Sequence, residues 1–393
     1  MPLSTATGLP AYNIPTNVKK LDLSEELAEI IRTDNTALLQ RIGAGGLVAT
    51  QLKHSWIEDQ LNPNTATTPN TAAGYLDASE TSLDVSPGHG VRFKIGTLFK
   101  DAAAGKTEVM RVTNVSADTL TIERGHGSTS GEEHGTSPST GFSIMIIAHT
   151  KQESWKPDGE DWSAERTGPF NYLMTMGYGI AITRRRQAVD HAAIPNEFSH
   201  QSAYRLKEFM RQLDSALINS IRSGTEGGSA DYSSFGGLIE FVSQSGGNTN
   251  TTPEAISPSV LNASIKQIWD DGGMVAGGRL FLLVGGKQKR NISTFDQAYR
   301  RMDFDSKSAG YVVERFISDL GFEVEIIVNP HVPDDIYVVG DLNRITVGPL
   351  QTDAVALEDL AKTGRLIEAM LSGTYTVEVR NALEAFAIHS NLS

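Results

Sequence analysis

The 393-residue chain is 39% hydrophobic and 21% charged, proportions of a folded globular protein with room for two or three compact units. It has no cysteine, which excludes disulfides, thiolate metal sites and a cysteine nucleophile and leaves any metal chemistry to His, Asp and Glu. A formal net charge of −13 argues against tight, non-specific binding of nucleic acid, which draws its affinity from Lys and Arg.

The first residues, MPLSTATGLPAYNIP, carry neither the basic nor the apolar region of a secretory signal, and no later apolar run reaches the roughly 18 residues that span a bilayer. Synthesis in the cytoplasm, away from membranes, is the expectation. Pro2, Pro10 and Pro15 among Ser, Thr and Asn predict an extended arm. Ser24 followed by Glu26, Leu27, Ile30 and Ile31 predicts a capped amphipathic helix over 24–33. The polar, proline-containing stretch NPNTATTPNTAAG, residues 62–74, reads as a boundary.

Beyond it the pattern is all-β. Val91, Phe93 and Ile95 alternate, as do Val109, Arg111, Thr113 and Val115, then Leu120 and Ile122, and a final run covers Phe142 to Ala148. Short strands at this spacing predict a small barrel or sandwich over 78–149. Within it, RGHGSTSGEEHG (124–135) holds the densest set of metal-ligand types in the chain: His126, Glu132, Glu133 and His134. Its glycines and serines supply no rigid second shell, so the expected structure is a solvated loop tip.

Residues 151–166, KQESWKPDGEDWSAER, are highly charged and predict a protruding loop, with Trp155 and Trp162 as interface anchors. An extended segment follows into Arg184-Arg185-Arg186, where alternation would send Arg184 and Arg186 one way and Arg185 the other. Leu206, Phe209, Met210, Leu213, Leu217 and Ile221 recur at helical spacing and predict a helix over 196–223, about 42 Å long. A short helix near 234–244 and a Gly/Asn/Thr linker come next. Helices near 258–271 and 286–301 then alternate with strands near 279–284, 311–318, 322–328 and 335–341, predicting a mixed unit around a central sheet. Tyr375, Val377 and Val379 alternate, and LEAFAIH reads as the return strand of a terminal hairpin.

Catalytic and cofactor motifs are missing from the sequence. VGGKQKR fails the phosphate-loop spacing, MDFDSKSAG fails the calcium-loop pattern at Lys307, and GxSxG, HExxH and GxGxxG do not occur. No catalytic, cofactor-binding or metal residue is therefore assigned and no enzyme activity is expected.

The order of elements, with the blocks HSWIEDQLNP (54–63), RLFLLVGGKQKRNISTF (279–295), FISDLGFEVEIIVNPHVPDDIYVVGD (316–341), LEDLAKTG (357–364) and GTYTVEVRNALEAFAI (373–388), resembles tailed-phage major capsid proteins of the Hong Kong 97 type. The resemblance implies an α+β fold with an N-terminal arm (1–45) and an extended loop (46–190) carrying the β insertion at 78–149. It further implies a peripheral domain (191–254 and 351–393) with spine helix 196–223, and an axial domain (255–350). The implied function is self-assembly, through hexamers and pentamers, into the icosahedral head that encloses double-stranded DNA in the virion. A separate scaffolding, decoration or portal protein would be a partner, and DNA would lie close without tight binding. Candidate contacts between subunits are Trp155 and Trp162, together with the acids Asp158, Glu160 and Asp161 facing the bases Arg184, Arg185, Arg186, Lys287, Lys289 and Arg290 of a neighbour. A tail-tube or decoration protein, or a His/Glu metal-dependent hydrolase, is the alternative.

Overall fold

The computed structural model describes residues 36–393 except 44, 60, 136–139, 157–165, 190–193, 195, 225–231, 245, 275–277, 296–313 and 362–363. Two compact units divide the chain: residues 57–168, and the flanking stretches up to Trp56 and from Pro169 onward. The helix expected at 24–33 lies outside the described residues. The larger unit begins with α1 (Ala37–Ile42) and β1 (Lys53–Ser55).

The smaller unit is one antiparallel sheet of β2 (Thr65–Thr67), β3 (Ser82–Asp84), β4 (Thr97–Asp101), β5 (Val109–Ser116), β6 (Thr119–Glu123) and β7 (Ser143–His149), in the order β2-β7-β4-β5-β6-β3. Alternation buries Phe99, Met110, Val112, Leu120, Ile122, Ile144 and Ile146 in a core of its own. The two end strands are drawn together where Ser86 N donates to Thr67 O at 2.8 Å, curling the sheet towards a barrel. Two sequence expectations change here. The stretch 62–74 supplies strand β2, so the sheet starts before residue 78. Val91 to Ile95 is no strand: Gly90–Arg92 forms a helical turn because the Asp118 carboxylate takes the N–H groups of Gly88 and Gly90. Only Phe93 of that trio is buried, and Val91 and Ile95 face solvent.

The larger unit resumes with β8 (Phe170–Tyr172), antiparallel to β1, then β9 (Met174–Thr183), α2 (Arg184–Gln187), α3 (Glu197–Asn219), α4 (Leu238–Val242), β10 (Asn248–Asn250) and α5 (Pro258–Asp270). The N–H of Ser199 donates to the Asn196 side chain, a cap that starts α3 at the expected place. The helix ends four residues early, however, since Ser220 is extended, and the fully buried side chains on it are Phe209, Leu213, Asp214, Leu217 and Ile218. Ile221, counted in the sequence stripe, lies past the helix and is exposed.

β11 (Leu280–Val284), α6 (Gly286–Ser293), β12 (Arg315–Ile317), β13 (Glu323–Val328), β14 (Tyr337–Asp341), β15 (Ile345–Pro349), β16 (Ala356–Asp359), β17 (Leu366–Val379) and β18 (Phe386–His389) complete the unit. Six strands form a mixed sheet, β10-β18-β14-β11-β13-β12, in which β11 and β14 are buried along their whole length. Helices α3 and α4 cover one face with Phe281, Leu283, Val338 and Ile388, and α5 and α6 cover the other with Leu282, Val284, Tyr337 and Val339. Burial on both faces explains why RLFLLV is a continuous apolar run and shows no alternation. A second sheet of β15, β16, β17 and β9 packs its inner face on the α3 core.

The terminal hairpin does not form. β17 pairs with β9, β15 and β16, whereas β18 pairs antiparallel to β14 and parallel to β10, in the other sheet. Asn381, with φ +50°, turns the chain between them. The Gly/Asn/Thr stretch read as a linker supplies β10, the partner that β18 takes.

Candidate assembly surfaces and the buried His134 cluster

The Gly-rich stretch 124–135 is a solvated tip only in part: Gly127, Ser128, Ser130, Gly131 and Glu133 are exposed, His126 and Glu132 are half-buried, and His134 is not in solvent at all. Within the smaller unit His134 is fully buried, with Nδ1 3.1 Å from Asp101 Oδ2 and Nε2 2.9 Å from Glu108 Oε2. Glu108 is also buried, and both its oxygens accept from Arg124, Nε at 2.8 Å and a terminal nitrogen at 2.7 Å. The main-chain N–H groups of Gly125 (2.9 Å) and Glu132 (2.8 Å) donate to it as well. Burial raises the Glu108 pKa, but Arg124, the Glu132 N–H, His134 and the Gly125 N–H outweigh it and lower it from 4.5 to about 2. Arg124 in turn donates to the carbonyls of Asp77, Glu80 and Glu132. The loop is thus pinned by one carboxylate placed on the β4–β5 connection.

Both ring nitrogens of His134 face carboxylates, and the Glu132 carboxylate accepts from the Thr107 hydroxyl at 2.7 Å. Among the described residues, no three His, Asp or Glu side chains are arranged to hold a metal ion. The chemistry available to the cluster is that of a structural clasp. The same unit also has an open depression of about 340 Å³ lined by Gly90, Val91, Phe93, Lys94, Ile95, Val115 and Ala117.

The sequence-predicted contact residues are scattered. Trp155 is exposed in a turn after β7, where the Lys151 ammonium lies 5.4 Å from its ring centre. Asp158, Glu160, Asp161 and Trp162 lie outside the described residues. Arg184, Arg185 and Arg186 form a helical turn, α2, and not the alternating strand expected, because the Thr183 hydroxyl accepts from Arg186 N and caps it. Arg186 pairs with buried Glu197 at 2.8 Å, while Arg184 and Arg185 are exposed. On α6, Lys287 and Arg290 are exposed and Lys289 is half-buried, its pKa lowered by burial against the opposing pull of Glu314.

Two buried polar groups of the larger unit carried no sequence signal. Asp214, on α3, accepts from Leu39 N at 2.8 Å and from Asn329 Nδ2 at 2.5 Å, tying α1 and the loop after β13 to the helix. Burial raises its pKa against those donors. His389 stacks on Tyr337, ring centres 5.5 Å apart, and its Nε2 meets Glu254 at 3.0 Å. Burial lowers the His389 pKa, Glu254 opposing, and the Tyr337 hydroxyl is pushed up to about 12 by burial despite its 2.9 Å contact with Ser264. All their partners come from elements far away in the chain, which is why a single stretch of sequence gives no hint of them.

No curated protein matches the chain in sequence. Among solved structures it is similar to the capsid of a native GTA particle, with 12% identity and a TM-score of 0.51 over 99% of this chain and 100% of that one. It is also similar to a chain of Microbacterium phage Oxtober96, with 12% identity and a TM-score of 0.46 over 94% of this chain and 95% of that one. The first likeness carries the fold, a mixed α/β architecture of the Hong Kong 97-like capsid type. The family model described as SU10 major capsid protein matches residues 7–393, so the chain belongs to that family and is a structural protein of a capsid shell.

Proposed function

We propose that copies of this chain tile, through hexamers and pentamers, into the closed head of a tailed phage, assembled in the host cytoplasm around or ahead of double-stranded DNA. The observation that carries this reading is the family match over residues 7–393. No reaction step is assigned: the cluster at His134 has its ring nitrogens held between two carboxylates. Within the shell, residues 1–45 are read as the arm, 46–190 as the extended loop with the β unit on it, 191–254 and 351–393 as the peripheral domain, and 255–350 as the axial domain. Exposed Trp155, Arg184, Arg185, Lys287 and Arg290 are the groups offered to neighbours, and a separate scaffolding, decoration or portal protein is the further partner. Many modest contacts repeated around a closed lattice make release of one subunit slow, since all must break together. The net charge of −13 keeps the packaged DNA from adhering to the wall.

Negative-stain microscopy and sedimentation of the purified full chain test this. Closed particles or rings of subunits are expected; a chain that stays monomeric at high concentration, with or without co-expressed phage proteins, sinks the proposal.

A further inference from the structure

Helix α3 is covered unevenly on the side that receives α1. Asp214, on that side, accepts from the N–H of Leu39 at 2.8 Å, and Leu38 and Leu39 lie in one buried cluster with Leu217 and Ile218. Back from Asp214 towards the start of the helix come Met210, then Lys207 and Leu206, then Ala203, each step three or four residues, so they continue the same face. Ala203, Leu206 and Lys207 are exposed, Leu206 at 41%, and Met210 is half-buried. The row that α1 closes at one end is open at the other, an apolar strip with Lys207 in it and Arg211 beside it.

The position of α1 selects the part of the chain that can cover this strip. The Asp214 carboxylate holds the first turn of α1, so the chain passes through Thr36 directly beside α3. Just before it, residues 24–33 carry Leu27, Ile30 and Ile31 at helical spacing, with Glu25, Glu26 and Glu29 among them. Asp34 and Asn35 are the link, and they let Thr33 stand no more than about 11 Å from Thr36. A helix over 24–33 would be about 15 Å long, and α3 rises about 16 Å between Ala203 and Asp214, so the two match in length.

We infer that residues 24–33 fold back along α3 of their own chain as a helix, laying Leu27, Ile30 and Ile31 on Ala203, Leu206 and Met210 and setting Glu25, Glu26 and Glu29 against Lys207 and Arg211. So short a helix is marginal in water by itself, because it gains few hydrogen bonds for the cost of its first turn. Burial of its apolar stripe on the open strip supplies what it lacks. The tether at Asp214 makes the docking intramolecular, which favours this segment over the same segment of a second copy and over a separate protein. The inference goes beyond the shell reading: it concerns one subunit and stands whether or not copies assemble.

The test uses the purified full chain. Amide exchange read by mass spectrometry is expected to be at least tenfold slower over residues 24–33 than over residues 1–20, and equal rates overturn the inference. Because the chain has no cysteine, Leu206→Cys places a single reporter thiol on the strip. Its reaction with a maleimide is expected to become at least tenfold faster when Leu27→Asp and Ile31→Asp are added, with circular dichroism showing the chain still folded; an unchanged rate overturns the inference. Leu27→Cys combined with Leu206→Cys is expected to close a disulfide within one chain under mild oxidation. A disulfide that joins two chains shows a second copy's segment on the strip and overturns the inference, as does the absence of any disulfide. A chain that never assembles overturns the shell reading and leaves these results as they are, so the two fail separately.

Discussion

Glu108 shows how much one side chain organises. Five donors converge on its buried carboxylate, and removing it leaves Arg124 and His134 buried without their partner. Glu108→Ala is expected to destabilise the smaller unit by about 3–5 kcal/mol, read by chemical denaturation of the full chain. Its folded pKa lies below its ordinary value, so the stabilisation is complete above pH 4.5 and is lost as pH falls towards about 2, amounting to about 3 kcal/mol. His389 loses stability on the acid side at a higher pH. Its folded pKa is lowered by burial, so stability is full above pH 6.5 and falls as pH drops below it. Urea unfolding on either side of 6.5 should show that loss in the wild-type chain and a reduced loss in His389→Gln. The sequence displayed the His and Glu of 124–135 but could not show their environment, because Asp101, at the end of β4, and Glu108, on the β4–β5 connection, decide it.

Among elements, α3 and the β14–β18 pair hold the larger unit together. Leu213 on α3 is fully buried in the core shared by both sheets, and Leu213→Ala is expected to cost about 2–5 kcal/mol, measured as a fall in the unfolding midpoint. At Gly340 on β14 an added Cβ would lie 2.0 Å from the Phe386 ring of β18. Gly340→Ala is therefore expected to cost at least about 1–3 kcal/mol through forced displacement of that ring, seen as early unfolding and faster amide exchange along β18. Both elements were legible as a helix and a strand. Their ends and partners were not: Ile221 kept the helical spacing after the backbone had turned away, and LEAFAIH kept a strand pattern that says nothing of which sheet receives it. Strand pairing depends on what lies beside a segment in space, and β10, its parallel partner, was hidden in a polar stretch.

At the scale of the whole molecule, a chain with a net charge of −13 is expected to leave duplex DNA unretarded in gels at physiological salt, whereas tight retardation would contradict a non-adhesive inner wall. By itself the sequence determined the class of the protein, the position of α3, strands β5, β6 and β7 of the smaller unit and β11, β13, β14, β17 and β18 of the larger and, through five blocks, the capsid resemblance that the family match then bore out. These are features written in local periodicity and in contiguous residues. Only the tertiary structure decided that His134 of the His/Glu loop is held in a buried clasp, that the arginine triplet is a capped helical turn, and that the last two strands enter different sheets. Each of those depends on side chains and backbone brought together from far apart in the chain, where burial, hydrogen-bond satisfaction and strand pairing are set by neighbours that no local pattern records.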